Sequence, residues 1–264
     1  MPTNTVTLGK ASPGKDMRVY AIGDVHGCRW EMGVILDLIE QDLSASPMGD
    51  HCIIFLGDYC DRGPDVCGVI DRLMGLRAQD ERVVCLLGNH DDKLRKAHKV
   101  LDPRDFAMFL RYGGAATLAS YGADARELQR LELQGDEKAR KRVRDIVRDV
   151  VPKAHFEFIK NLPRSVEVGD YFFCHAGVDP DRKLHKQDGE DLIWIREPFL
   201  SHKKPLAKVV IHGHTRQTRV DVRDNRINVD TSCCYGGALS CVVLEKKKYR
   251  FLQVPARQQH WLAG

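Results

Sequence analysis

The chain of 264 residues predicts a layered α/β domain. Three observations predict it. Before residue 92, an apolar run leads into a polar segment that opens with glycine three times, and a stretch of helical spacing follows each of the first two. Further along, two more apolar runs each end in histidine. Hydrophobic residues make up 43% and charged residues 30% of a chain long enough for a substantial core, which are globular values. Repeated strand-to-helix alternation is the mark of a layered domain with a largely parallel first sheet.

Residues 1–16 are polar, carry Pro2, Pro13 and Gly14, and read as a flexible tail without the apolar centre of a signal peptide. Met17 to Ile22 is an apolar strand ending in Gly23-Asp24-Val25-His26-Gly27. Residues two apart on an extended segment point to one side, so Asp24 and His26 can reach one point, a credible metal pair. Val34, Ile35, Leu38, Ile39 and Leu43 have helical spacing and predict a helix over 29–43. Cys52 to Leu56 is a second buried strand. It ends in Gly57-Asp58-Tyr59-Cys60-Asp61-Arg62-Gly63 and breaks at Gly63-Pro64. A helix over 65–77 follows, then a strand from Glu81 to Leu87 that ends in Gly88-Asn89-His90-Asp91. Carboxylates, imidazoles and a guanidinium thus gather at the carboxyl ends of strands, where open α/β sheets bind ligands.

Residues 92–163 read as a helical insertion over that edge. Phe106, Phe109 and Leu110 form one amphipathic stretch, closed by Gly113-Gly114. Val143, Ile146, Val147 and Val150 form an apolar stripe, opposite Lys138, Arg140, Lys141, Arg142 and Arg144. With Asp145 and Asp149 interspersed, that basic face reads as solvated rather than as a nucleic-acid surface. Pro152 ends this helix and opens another. Tyr171 to Cys174 is a strand ending in His175-Ala176-Gly177, and Val209 to Ile211 one ending in His212-Gly213-His214-Thr215. A hairpin turning at residues 223–226 leads into Ile227 to Thr231, and strands follow at 238–244 and 249–254. The chain has no linker that would divide it, so residues 17–255 read as one domain and 256–264 as a C-terminal tail.

The net charge of +4 is too mild to imply nucleic acid by itself and suits anionic substrates. No apolar run approaches the roughly 20 residues of a membrane helix. The nine cysteines are scattered without a C-x-x-C pair, which points to a reducing cytoplasm, no disulfide framework and no thiolate zinc site.

The motifs Gly-Asp-x-His-Gly, Gly-Asp-x-x-Asp-Arg-Gly and Gly-Asn-His-Asp, in this order and spacing, resemble those of the metal-dependent phosphoprotein phosphatases within the calcineurin-like metallophosphoesterases. The resemblance covers roughly residues 17 to 245 and is nearest to the compact bacterial and phage branch that includes bacteriophage lambda phosphatase. It implies a four-layer sandwich of two mixed β-sheets flanked by helices. It also implies two divalent metal ions, manganese, iron or zinc, which suit a donor set of Asp, Asn and His without thiolate. Asp24 and His26 would hold the first metal, Asp58 would bridge, and Asn89, His175 and His214 would hold the second. A water bridging the two ions would become the hydroxide that attacks phosphorus. His90, oriented by Asp61, would protonate the leaving oxygen, and Arg62 and Arg196 would grip the phosphate.

The resemblance implies a protein serine/threonine phosphatase, with phosphotyrosine as a further substrate, acting on a phosphoprotein or phosphopeptide. Neither nucleic acid nor membrane is an expected partner. One departure points elsewhere: Asp91 stands where phosphoprotein phosphatases usually have Glu, and Asp there is also seen in symmetric dinucleoside tetraphosphatases. Such a hydrolase is the alternative reading, with a nucleotide polyphosphate as substrate. Asp61 weighs against it, because that group tends to lack the second carboxylate of the heptad. His212, two residues before His214, reads as a strand histidine. A non-catalytic scaffold is disfavoured because every expected ligand, acid and arginine is present, and a phosphodiesterase because Gly-His-x-His is absent.

Overall fold

In the computed structural model, which describes residues 5–257, two five-stranded sheets lie face to face. The first has the order β10-β9-β1-β2-β3, formed by Lys248–Pro255, Ala238–Glu245, Met17–Ile22, Asp50–Phe55 and Val83–Cys85. The second has the order β4-β5-β6-β8-β7, formed by Ser165–Val168, Tyr171–Cys174, Val209–His212, Arg226–Asn228 and Asp221–Val222. Each sheet is mixed. β1, β2 and β3 run parallel, with β9 antiparallel to β1 and to β10. β5, β6 and β8 run parallel, with β4 and β7 antiparallel at the edges. The first sheet is therefore less parallel than the sequence suggests, because the chain returns through residues 238–255 to extend its other edge.

Alternation along the strands builds the layers. Val19 and Ala21 of β1 point into a core between the sheets, with Ile54, Leu56, Leu86, Phe173, Ile211 and Ile227. Their neighbours Tyr20 and Ile22 face the other way, onto Met32, Ile35 and Ile39 of α1 (Arg29–Ala45) and Val69, Ile70 and Leu73 of α2 (Val66–Gln79). The outer face of the second sheet, Phe172, Cys174 and Val210, is covered by Leu192, Phe199 and Leu206.

The helical stretch comprises α3 (Asn89–Ala97), α4 (Pro103–Phe109), α5 (Ala115–Ser120), α6 (Ala125–Gln134), α7 (Glu137–Val150) and α8 (Lys153–Lys160). A wide turn at Leu110–Gly114 joins α4 to α5, and Gly113 adopts φ 115° there. Pro152 caps α8. Three cations of the basic face of α7 are paired: Lys141 with Glu137, Arg142 with Glu127 of α6 and Arg144 with Asp145. α9 (Asp191–Trp194) is one short turn before the second sheet resumes.

Two expectations are corrected. β3 is shorter than the apolar run 81–87, and β4, a half-buried edge strand, gave no clear sequence signal. The expected tail over 1–16 is packed on the body from residue 5 onward. Val6 pairs with Leu206, the Leu8 amide donates to the Asp224 carbonyl at 2.8 Å, and Leu8 and Ala11 are buried in the inter-sheet core. Residues 1–4 and 258–264, including Trp261, lie outside the described residues. Among the described residues, no helix is long and apolar enough to cross a membrane.

Candidate active site

Strand register brings the motifs together. Ile22 pairs with Phe55 and Phe55 with Cys85, so β1, β2 and β3 end level and deliver Asp24, Asp58 and Asn89 to one edge. β5 and β6 end beside them and deliver His175 and His214. The turns are sharp. His26, Asp58, Asp61, Arg62 and His214 all have φ between 42° and 72°. Each such non-glycine residue costs about 1–2 kcal/mol in local conformation, which the surrounding packing has to offset. Gly88 is required by closeness: a Cβ there would lie 2.2 Å from the amide nitrogen and from Oδ1 of Asp58.

The predicted site residues converge and are buried, except Arg62, which is partly buried, and Arg196, which is exposed. Two groups of donors each come within 4.8 Å: His26, Asp58 and His90, and Asp58, His175 and His214. Asp58 is common to both. Its Oδ2 lies 3.5 Å from His26 Nε2, 3.3 Å from His175 Nε2 and 4.0 Å from His90 Nε2. Asn89 Oδ1 is 3.0 Å from His175 Nε2 and 2.8 Å from His214 Nδ1. Asp24 accepts from the His214 amide through both oxygens, at 3.2 Å each.

These residues fit a pair of divalent ions. His26 Nδ1 donates to the Cys60 carbonyl at 2.6 Å and His175 Nδ1 to the Leu56 carbonyl at 3.0 Å, which leaves both Nε2 lone pairs facing Asp58. His175 Nε2 therefore meets two acceptors, Asp58 and Asn89, and such an array needs positive charge at its centre. His214 Nε2 is buried without a hydrogen-bond partner. Electrostatics agree. Burial would push the Asp58 carboxyl up, yet His175 and His90 hold it well below the usual carboxylate range. Burial disfavours a charged His175, yet the Asp58 carboxylate lifts it to about 9. Burial and the His175 charge push His214 down to about 2, so it is a neutral donor.

His90 is set apart by its partner. Its Nδ1 donates to Asp61 Oδ2, and Asp61 Oδ1 accepts from the Thr117 hydroxyl at 2.7 Å. The Asp61 amide donates back to Thr117 Oγ1 at 2.8 Å. Arg62 spans the two imidazoles, donating to His26 Nε2 at 2.7 Å and His90 Nε2 at 2.9 Å. Arg196 lines the same cavity. It is not paired with Glu197, whose carboxylate accepts from the Ser201 amide and hydroxyl instead. His212 is fully buried in β6 and packs edge-on against Phe199 at 5.0 Å between ring centroids.

Sequence reasoning weighed Asp91 only as a clue to the substrate and missed what it holds in place. Asp91 accepts from the backbone amides of Asp58, Tyr59, Cys60 and Gly88 at 2.9–3.1 Å, clamping the loop that carries Asp58. Burial and the nearby Asp58 raise its carboxyl to about 6. Its place one residue after His90 was the available signal. Thr117 and Asp230, the latter buried beside Asp24, had none. Cys28, Glu31 and Cys233 also come within 4.8 Å, a thiol grouping that sequence spacing conceals. The centre opens into a cavity of about 780 Å³ lined by Arg62, Lys93, Tyr112, Trp194, Arg216 and Tyr235, among others.

The sequence model of the calcineurin-like phosphoesterase family matches residues 17–225. The asymmetrical bis(5'-nucleosyl)-tetraphosphatase PrpE of Anoxybacillus flavithermus is 27% identical over 240 residues, covering 84% of this chain and 88% of that protein. The symmetrical bis(5'-nucleosyl)-tetraphosphatase of Pseudomonas fluorescens is 26% identical over 266 residues, covering 85% and 87%. Neither is named as a protein phosphatase. Among solved structures, a Saccharomyces cerevisiae protein serine/threonine phosphatase superposes with a TM-score of 0.55 at 14% identity, covering 96% of this chain and 86% of that one. A provisionally named diadenosine tetraphosphatase gives 0.58 at 21%, covering 92% and 95%. At these identities the structural likeness establishes the fold alone.

Proposed function

The chain belongs to the calcineurin-like phosphoesterase family, and from that premise we propose that it hydrolyses dinucleoside polyphosphates of the diadenosine tetraphosphate type. The protein serine/threonine phosphatase favoured from sequence gives way to its alternative, because relatives matched along most of the chain are named tetraphosphatases. The observation that carries the proposal is an excess of cations. Arg62, Lys93, Arg196 and Arg216 line one cavity, and among the described residues none has a carboxylate partner within ion-pair distance. Elsewhere on the surface arginines pair, as Arg82 does with Asp80 and Arg223 with Asp221. A dianionic monoester needs two such groups beyond the metal ligands. A polyphosphate needs the rest.

Asp24, His26, Asp58, Asn89, His175 and His214 would hold two divalent ions. Such a pair would supply a water nucleophile at neutral pH and neutralise the phosphate under attack. Arg62 and Arg196 would orient that phosphate through their guanidinium forks. With Arg62 turned from His90 to the phosphate, His90 would be free to carry a proton on Nε2 toward the leaving oxygen, its ring fixed from behind by the Asp61–Thr117 pair. When the leaving group is a nucleotide phosphate, it departs with little need of that proton.

The test is a substrate panel on metal-reconstituted protein: a phosphoserine peptide, diadenosine tetraphosphate and a bis-aryl phosphodiester. Diadenosine tetraphosphate should lead in kcat/KM by about tenfold or more, some 1.4 kcal/mol in transition-state stabilisation. A tenfold lead for the phosphopeptide would overturn the proposal.

A further inference from the structure

The cavity has two aromatic walls that the phosphate chemistry leaves unused. On one side stand Tyr112, 48% exposed, and Trp194, with the Lys93 ammonium 5.0 Å from the first ring and 5.1 Å from the second. On the other stands Tyr235, 52% exposed, with the Arg216 guanidinium 4.3 Å and that of Arg62 5.2 Å from its ring. Each wall touches the centre through a different group. The Trp194 ring lies edge-on to His214 at 6.2 Å, and Tyr235 meets the Arg62 that donates to His26 and His90.

Aromatic rings exposed inside a cationic cavity offer planar surfaces beside the phosphate path on which a flat group can stack. Nucleobases do so well, because every base offers a π-face whatever its hydrogen-bond pattern. A phosphoserine side chain offers none. We infer that the Tyr112–Trp194 wall and the Tyr235 wall each take one nucleobase of a two-ended substrate, with Lys93, Arg196, Arg62 and Arg216 lining the phosphate chain between them. The inference rests on the proposed function but is finer: it names the side chains that make the site read a nucleoside at each end. The cations already stacked on these rings then serve twice, holding the ring planes and meeting the phosphates that enter with the base.

The experiment uses full-length, metal-loaded protein. Trp194→Ala and Tyr235→Ala should each raise KM for diadenosine tetraphosphate about tenfold, the scale of losing one stacked base. Trp194→Phe and Tyr235→Phe, which keep a ring, should stay within about threefold and exclude a folding defect as the cause. With adenosine tetraphosphate, which has a single base, only one of the two alanine variants should show the loss. Base-free tripolyphosphate, as a competitive inhibitor, should weaken far more on Arg216→Ala than on either aromatic variant. Alanine variants whose KM stays within twofold of wild type, or equal losses for tripolyphosphate and the dinucleotide, would overturn the inference. If diadenosine tetraphosphate binds without being cleaved, the proposed function alone fails, and its inhibition constant still reads the walls. If it does not bind at all, both fail.

Discussion

His90 and Asp58 lie 4.0 Å apart, and the geometry gives them different work. His90 is tied by Nδ1 to Asp61, while Asp58 faces three imidazoles. His90→Asn should lower kcat for a poor leaving group such as a serine phosphate by roughly 10²–10⁴ and leave metal content intact. Asp58→Asn should lose metal, because a neutral amide bridges cations poorly. Equal metal loss in the two variants would make His90 a ligand, a role its inclusion in one donor group also permits. Arg196 projects into the cavity free of Glu197. Arg196→Ala should therefore weaken inhibition by free phosphate or vanadate about tenfold or more, since alanine replaces none of a guanidinium's contacts with an anion. Inhibition constants that do not move would return this arginine to the solvent.

At the scale of elements, the site is a set of strand-end loops held by the start of one helix. Asp91, in the first turn of α3, accepts from three successive amides of the heptad loop as well as from Gly88. Asp91→Ala would leave those amides buried and unpaired, at about 1–3 kcal/mol for each that finds no water. The expected outcome is a lower Tm together with weaker metal retention, because Asp58 sits on the loop that relaxes. A variant with wild-type Tm and metal content would show that the loop is held by its own turns. The same clamp explains how Asp58 and Asp61 keep left-handed conformations that an isolated loop would abandon.

At the scale of the molecule, a polar network far from the site fastens the first sheet to its helices. Arg18, 1% exposed, bonds Glu245 at 2.8 Å and Asp42 at 3.1 Å, and Asp42 also accepts from Tyr20 and Arg250. β1, α1, β9 and β10 meet there. Burial alone would raise the Asp42 carboxyl, but the Tyr20 and Arg250 hydrogen bonds hold it below its ordinary value. With the folded pKa below the unfolded one of about 3.9, this stabilisation is complete above that pH and is lost as pH falls through the folded value. Asp42→Asn should cost about 2 kcal/mol at neutral pH, within the range for hydrogen bonds to a charged group, and the gap from wild type should narrow below about pH 4. Thermal melts from pH 7 to pH 3 check this, and a constant gap would mean that Asp42 is not held as a carboxylate. Chelation acts at the same scale. It should abolish hydrolysis, and manganese should restore it, whereas activity in protein assayed as metal-free would sink the ligand assignments.

The sequence by itself determined the class of the fold and the family. Both rest on short-range order: apolar runs that can only be buried strands, and Asp, His and Asn placed within a few residues of each strand's end. The two mixed sheets were legible only through the family resemblance, and the gathering of Asp24, Asp58 and Asn89 with His175 and His214 at one edge needed the register of β1–β3 and the meeting of the two sheets. Only the tertiary structure decided which groups touch. Thr117 reaches Asp61 across 56 residues and His214 reaches Asn89 across 125, separations at which no local pattern survives. The aromatic walls come from α9 and from the turns at 110–114 and 233–235, segments whose composition is unremarkable until packing turns them toward one cavity. The docking of residues 5–16 was hidden for the same reason. Leu8 and Ala11 are too few to mark a buried element, and they are buried because an apolar surface built by distant strands lies in their path.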